Sequence, residues 1–216
     1  MIKLTLKYGL NMGKIIGSNI VGGVGNLVFY SYNGNNYVRM APGKRSKKSW
    51  SEKQVQNRKR FSALAEFWMQ FSNTKVEHIW KVAEEGKRGY ILFLKANSPA
   101  FGPDGTLLDR ERLHLSAGKL PLPHLLTASR VPSDPEKVEV TWLYDPESII
   151  AWPEDELMMM VSNDDKFTGP IKTGAKRKQE SAVIQLPAVP GTINGIYLFF
   201  GSDKRKLYSP DMFFGV

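Results

Sequence analysis

The sequence predicts a mainly β protein with a small helical segment, α+β overall, whose C-terminal part is a β-sandwich. Three observations lead to this expectation. Apolar and polar residues alternate near both ends of the chain, which is the period of half-buried strands. Short strand-forming runs separated by turn residues follow residue 137, as in a sandwich. Between residues 51 and 85, two capping boxes and two helical apolar stripes interrupt this β pattern.

The first forty residues are expected to form β hairpins. The runs Leu27 to Tyr32 and Tyr37 to Met40 flank an Asn33-Gly34 turn, which is a strong hairpin signal. Gly17 to Gly22 has the spacing of a phosphate-binding loop, but Gly23-Val24 stands where such a loop has lysine and a hydroxyl residue. We therefore assign these glycines to turns and close backbone approach.

Helices are predicted at about 51–72 and 74–85. Ser51 with Gln54, and Thr74 with Glu77, have the spacing of capping boxes. Trp68 belongs to the apolar stripe of the first helix and is expected to help specify the fold. Two later runs, residues 90–94 and 113–116, are candidate strands, although the first could equally end a buried helix.

The hairpin region and the first helix are expected to pack on one another or on a second subunit. A two-stranded hairpin is marginally stable alone in water, so its apolar face needs a cover. The stripe Phe61, Trp68 and Phe71 is one candidate cover, and another chain is the other. We place the domain boundary near residue 130, with a hairpin and helix module at 1–130 and a sandwich at 131–216.

The sandwich prediction depends on residues near both of its ends. Val138, Val140 and Trp142 alternate with polar residues and place a tryptophan on an early strand. Leu186-Pro187 is followed by a Pro-Gly-Thr turn and then by Tyr197. This order resembles the corner before strand F of Ig-like and fibronectin-III-like domains, where a tyrosine hydroxyl bonds the backbone just upstream. We therefore expect Trp142, Leu186, Pro187 and Tyr197 to specify an Ig-like or fibronectin-III-like sandwich.

Further motifs resemble a bacterial family of uncharacterised domains of unknown function. They lie in the glycine-rich segment 13–39, in Gln56-Asn57-Arg58, in the run 115–120 (LSAGKL) and in the run 208–213 (YSPDMF). No activity is assigned to that family, so the resemblance implies no catalytic residues. Its members tend to begin near a Met-Gly pair, here Met12-Gly13, which makes residues 1–11 a candidate extension.

A strongly basic segment carries nearly all of the net charge of +9. The segment runs from Arg39 to Arg60, and Glu52 is its only acid. Its nine basic residues are Arg39, Lys44, Arg45, Lys47, Lys48, Lys53, Arg58, Lys59 and Arg60. Such a segment could neutralise phosphates, with Tyr30, Tyr32, Tyr37 and Trp50 stacking on bases. The alternatives are a solvated face and a docking surface for an acidic partner. Residues 145–156 show the opposite composition, with five acids and no base.

The remaining composition favours a non-enzymatic role. The chain of 216 residues has no cysteine, which excludes disulfides and thiolate metal sites, and its three histidines are not spaced as zinc ligands. The acids at Asp104, Asp109 and Glu111 and at 154–156 lack calcium-loop spacing. We infer no metal, no cofactor, no small-molecule substrate and no catalytic residue.

These observations lead to two function hypotheses. The first is a structural or interaction protein that assembles through its N-terminal module and displays the sandwich, for example in a virion, an appendage or a surface. The second is a nucleic-acid-binding protein that uses Arg39 to Arg60. No membrane span and no signal-peptide core are recognised, so we expect synthesis in the cytoplasm. The first hypothesis also predicts a protein partner or self-assembly.

Overall fold

A computed structural model describes residues 3–6, 12–16, 21–43, 50–164 and 166–216. The chain divides into two compact units, Met1–Trp50 and Ser51–Val216. The division therefore falls just before the first helix, whereas the sequence suggested a boundary near residue 130. The reason is that the helices share a hydrophobic core with the C-terminal strands.

Unit 1 contains a five-stranded antiparallel sheet with the order β1-β2-β5-β4-β3. Its strands are β1 (Lys3–Leu6), β2 (Met12–Ile16), β3 (Gly22–Val24), β4 (Leu27–Tyr32) and β5 (Asn35–Met40). Asn33 and Gly34 both have positive φ, 48° and 72°, which gives the tight turn that joins β4 to β5. The hairpin predicted from this dipeptide is confirmed, with Tyr32 paired to Asn35 next to the turn.

Unit 2 begins with three helices, α1 (Glu52–Met69), α2 (Lys75–Val82) and α3 (Gly89–Asn97). The capping box that starts α1 is confirmed, since Gln54 N donates to Ser51 Oγ and Ser51 N donates to Gln54 Oε1. The second box is wrong. Thr74 Oγ1 donates instead to the carbonyl of Phe71 at 2.7 Å, and Glu77 accepts from Asn73 N. The ambiguous run 90–94 is helical and lies within α3.

The remaining strands form two antiparallel sheets in unit 2. One sheet has the order β10-β7-β6, and the other has the order β12-β11-β8-β9, with β13 also paired to β11. The strands are β6 (His124–Val131), β7 (Asp134–Leu143), β8 (Glu156–Asn163), β9 (Lys166–Lys176), β10 (Ser181–Gln185), β11 (Ile193–Ser202), β12 (Leu207–Tyr208) and β13 (Met212–Phe214). The protein is thus mainly β, with three sheets and three α-helices among the described residues.

The sheet that contains β8 and β11 is covered on both faces. Met158, Met160 and Phe199 belong to a cluster with the helices, whereas the alternate residues Met159 and Leu198 pack towards β7 and β10. Double coverage explains why residues 157–161 and 196–200 are continuous apolar runs. β7 has only one covered face, so Val138, Val140 and Trp142 alternate with polar residues.

Three of the residues expected to specify the fold, Trp142, Leu186 and Trp68, are buried, and Pro187 is half-buried. Trp142 is buried against Phe200, with ring centroids 5.3 Å apart, and its Nε1 donates to the carbonyl of Arg177. Leu186 is buried and Pro187 is half-buried at the end of β10. Trp68 is buried within unit 2, where its ring centroid lies 4.8 Å from that of Phe93.

Two sequence interpretations need correction. Tyr197 does not bond the backbone just upstream, because its hydroxyl donates to the carbonyl of Arg110 at 2.8 Å. Its side chain lies on the helical side of the sheet, where burial raises its pKa. The run 113–116 is not a strand; Leu113 and Leu115 are buried in a segment whose backbone contacts side chains instead of a sheet.

Candidate functional site

The basic residues predicted as a contact site occupy separate places in the chain. Arg39 is exposed on β5 of unit 1, and four others lie on α1 of unit 2: Lys53, Arg58, Lys59 and Arg60. Lys44, Arg45, Lys47 and Lys48 lie outside the described residues. At 100° per residue, Lys53 and Arg60 share one side of α1, but Arg58 and Lys59 project elsewhere. The helical part of the basic segment is therefore not a single patch.

The described strands of unit 1 present two different faces. The pairs Leu27 with Met40 and Phe29 with Val38 place apolar side chains on one face. Val24, which pairs with Leu27, extends that face. Val24 is 63% exposed and Met40 is 50% exposed. In residues 21–43, Val38 alone is a buried apolar side chain, so most of this apolar face is uncovered.

The opposite face of the same strands is aromatic and basic. It carries Tyr30, Tyr32 and Tyr37 together with Arg39, because β4 pairs with β5 in that register. The rings of Tyr30 and Tyr37 are stacked with centroids 5.6 Å apart, and Tyr32 is 65% exposed. Flat aromatic rings beside a guanidinium have the chemistry of a stacking surface.

The two family-like motifs of the C-terminal half, 115–120 and 208–213, meet in one hydrogen-bonded centre. The Asp211 carboxylate accepts from Leu115 N at 2.6 Å and from Ser116 N at 3.3 Å. Ser116 Oγ donates to the carbonyl of Ser209, and Leu120 N donates to that of Tyr208. A Cβ on Gly118 would lie 2.2 Å from the carbonyl oxygen of Tyr208, so only glycine permits this approach.

His114 links this centre to the surface. Its Nδ1 lies 3.1 Å from Asp211 Oδ1, and its side chain is about half-exposed. The hydrogen bond with Asp211 raises the pKa of His114 against the opposing effect of burial. Ser116 is buried and its hydroxyl is engaged by Ser209, so the serine beside this His–Asp pair is not presented to a substrate. The arrangement is a structural centre that orients one imidazole.

A groove between α1 and α3 combines apolar and basic side chains. It has a volume of about 510 Å³ and is lined by Asn57, Arg60, Phe61, Leu64, Ile91, Leu94, Lys95 and Ser98. Leu64 and Leu94 are buried, whereas Phe61 and Ile91 are 56% and 54% exposed. The lining contains two cations and no acid. The sequence does not predict this groove, because the apolar run 90–94 is compatible with a strand or with a buried helix end and neither exposes Ile91.

The connection between β7 and β8 is acidic and also exposes apolar side chains. Ile149 is 94% exposed, and Ile150 and Trp152 are also exposed. Asp155 is buried within the same connection, where it accepts hydrogen bonds from Trp152 N and from Arg205. The Arg205 guanidinium lies 4.1 Å from the centre of the Trp152 ring. The acids expected to be solvated loop charge therefore include one structural carboxylate.

The described part of the chain has neither a metal-binding cluster nor a helix suited to a membrane. No group of three or more histidine, aspartate or glutamate side chains is arranged to hold a metal ion. None of the described helices is both long and apolar enough to cross a bilayer.

Comparison with known proteins found no matching family model, no matching curated protein and no matching solved structure. The class defined by the structure itself is a mainly β protein with a helical layer on one sheet. The resemblance to a family of uncharacterised domains stays a prediction.

Proposed function

We propose that the chain is a non-enzymatic structural or interaction protein that assembles through the sheet of unit 1 and displays a fibronectin-III-like sandwich. The observation that carries the proposal is the uncovered apolar face formed by Val24, Leu27 and Met40. Exposed apolar patches on a sheet are typical of protein-binding surfaces. The sheet also has edge strands, and β3, with all three residues exposed, offers backbone groups for pairing with another chain.

The order of the strands supports the sandwich part of the proposal. Counted from β6, the first, second and fifth strands form one sheet. The third, fourth, sixth and eighth strands belong to the other, which is the division found in fibronectin-III-like domains, and the short seventh strand, β12, adds to that sheet by pairing with the sixth. The two sheets enclose a shared core around Trp142, Met159 and Leu198. Tyr197 departs from the Ig pattern, so the likeness depends on topology.

Measurement of mass in solution tests the assembly. We expect light scattering to give a mass above the 24.4 kDa of one chain, rising with protein concentration. Val24→Glu or Met40→Glu should shift the mass towards the monomer, because a charge on the apolar face opposes its burial. Val183→Glu is the matched control, since Val183 is 60% exposed on β10 of unit 2. A monomer at every concentration contradicts the proposal.

A second candidate function is binding of single-stranded nucleic acid by the opposite face of the same sheet. The observation that favours it is the placement of Tyr30, Tyr32, Tyr37 and Arg39 on one face. Bases can stack on such rings while cations contact the phosphates.

Titration of the full chain with a fluorescent oligonucleotide tests this candidate. Tyr32→Ser and Arg39→Glu should each weaken binding, as should charge reversal at Lys47, Lys48, Arg58 and Lys59. Log K should fall with log salt with a slope of about −0.7 per phosphate contacted. Lys204→Glu, an exposed charge reversal in unit 2, should change binding less. Failure to bind single- or double-stranded probes at low salt eliminates the candidate.

A further inference from the structure

The groove between α1 and α3 has the shape and charge of a docking site. Its base is formed by the buried side chains of Leu64 and Leu94, and its walls by the exposed side chains of Phe61 and Ile91. Arg60 and Lys95 lie in the lining, which contains no carboxylate. An occupant that fits this groove must therefore offer an apolar side chain together with negative charge.

The β7–β8 connection of unit 2 has that composition. Ile149 is the most exposed of the large apolar side chains in the described part of the chain, at 94%. Asp145 and Glu147 precede it, both exposed, and no basic residue occurs from 145 to 156.

This connection is also held in shape. The Arg205 guanidinium stacks on Trp152, and its Nη1 donates to the carbonyl of Ile150 at 2.8 Å. Ala151 N donates to Ser148 Oγ, and Glu147 N donates to Asp145 Oδ1. A segment ordered before binding loses less conformational entropy when it docks.

We infer that the β7–β8 connection of one copy docks into the α1–α3 groove of a second copy, with Ile149 between Phe61 and Ile91. Glu147 and Asp145 then face Lys95 and Arg60. The inference rests on the proposed function, because it names a contact by which the chain assembles. The contact joins two different surfaces, so it is heterologous and generates a ring or an open chain of copies. A contact of this size is weak alone and gains strength beside a second contact through the unit 1 sheet.

The absence of cysteine allows a direct cross-linking test with full-length chains. One chain carries Ile149→Cys, and a second chain with a mass tag carries Ile91→Cys. On mixing and mild oxidation, the cross-linked heterodimer should form faster than in a matched mixture of Leu125→Cys with tagged Ile91→Cys. Leu125 is a suitable control because it is 76% exposed on β6, outside both surfaces.

Charge reversal makes the test specific for the proposed pairing. Adding Lys95→Glu to the Ile91→Cys chain should slow heterodimer formation about two- to fivefold, the size expected for one exposed ion pair. Adding Glu147→Lys to the other chain should restore the rate. A rate equal to that of the Leu125 control overturns the inference.

The cross-linking result can be distinguished from the result of the mass measurement that tests the proposed function. If the wild-type mass exceeds one chain and the Ile149–Ile91 cross-link does not form above control, the docking inference fails and assembly stands. If the cross-link forms but Val24→Glu and Met40→Glu leave the mass unchanged, docking stands and assembly through the sheet fails. Cross-linking that is unaffected by Lys95→Glu contradicts the charge pairing.

Discussion

Asp211 is the residue on which the C-terminal hydrogen-bond centre depends. Its carboxylate is buried and satisfies two backbone N–H groups and the ring of His114. Removing it leaves buried donors without a partner, which costs more than an ordinary hydrogen bond contributes.

We therefore predict that Asp211→Ala lowers the free energy of unfolding by about 3 kcal/mol or more. Asp211→Asn should cost less, because its carbonyl oxygen still accepts from one N–H group. Urea unfolding at pH 7 measures both changes. Glu111→Ala, at an exposed site, serves as the control and should stay within about 0.5 kcal/mol of wild type. Equal losses of unfolding free energy in Asp211→Ala and Glu111→Ala would contradict this role of Asp211.

His114 should make stability depend on pH. Its pKa in the folded chain is raised above the usual histidine value of 6.5, chiefly by the hydrogen bond with Asp211. The associated stabilisation is complete below about pH 6.5 and is lost as the pH rises through the folded-state pKa. We expect the free energy of unfolding to fall over that range in wild type and to fall less in His114→Asn. Urea titrations at several pH values test this, and parallel curves for the two proteins contradict it.

At the scale of the element, α1 shows how one helix serves two purposes. Trp68 faces the core, with Phe93 and Tyr90 against its ring, whereas Phe61 is more than half exposed two turns earlier. The helical stripe in the sequence is genuine, but its N-terminal end lies in the α1–α3 groove and not in the core.

The difference gives a matched pair of substitutions. Trp68→Ala should lower the free energy of unfolding by about 3–5 kcal/mol, as for a buried aromatic residue. Phe61→Ala, on the same helix, should cost much less because its side chain is largely exposed. Thermal or urea unfolding followed by circular dichroism distinguishes them. A harmless Trp68→Ala change would contradict the packing described for α1.

At the scale of the whole molecule, the two units differ in how they are stabilised. Unit 2 has two hydrophobic clusters of its own, one beneath the helices and one between the sheets. Unit 1 has one buried apolar side chain among residues 21–43. The last residues of unit 1 in the sequence include four trypsin sites, Lys44, Arg45, Lys47 and Lys48.

Limited proteolysis should reflect this difference. We predict that trypsin removes unit 1 first and leaves a fragment that begins within residues 45–54 and extends to Val216. Mass spectrometry identifies the fragment. Thermolysin, which cuts at apolar residues, should also attack residues 21–43 before unit 2, which controls for the basic sites. Initial cleavage within unit 2 by both proteases would contradict this order of stability.

The sequence by itself determined the local features. Three examples are the Asn33-Gly34 hairpin, the capped start of α1 and the alternating strand β7. Each depends on residues a few positions apart, so the sequence pattern is sufficient to predict it. Continuous apolar runs were less informative. Residues 90–94 and 196–200 have similar composition, yet the first is helical and the second is a strand covered on both faces.

Only the tertiary structure decided which distant residues meet. The Tyr197 hydroxyl bonds Arg110, 87 positions away, and His114 contacts Asp211 across 97 positions. The groove beside Ile91 and the exposure of Ile149 likewise depend on how whole elements pack. The physical reason is that burial is set by what covers a side chain, and the covering residues here come from other layers of the fold.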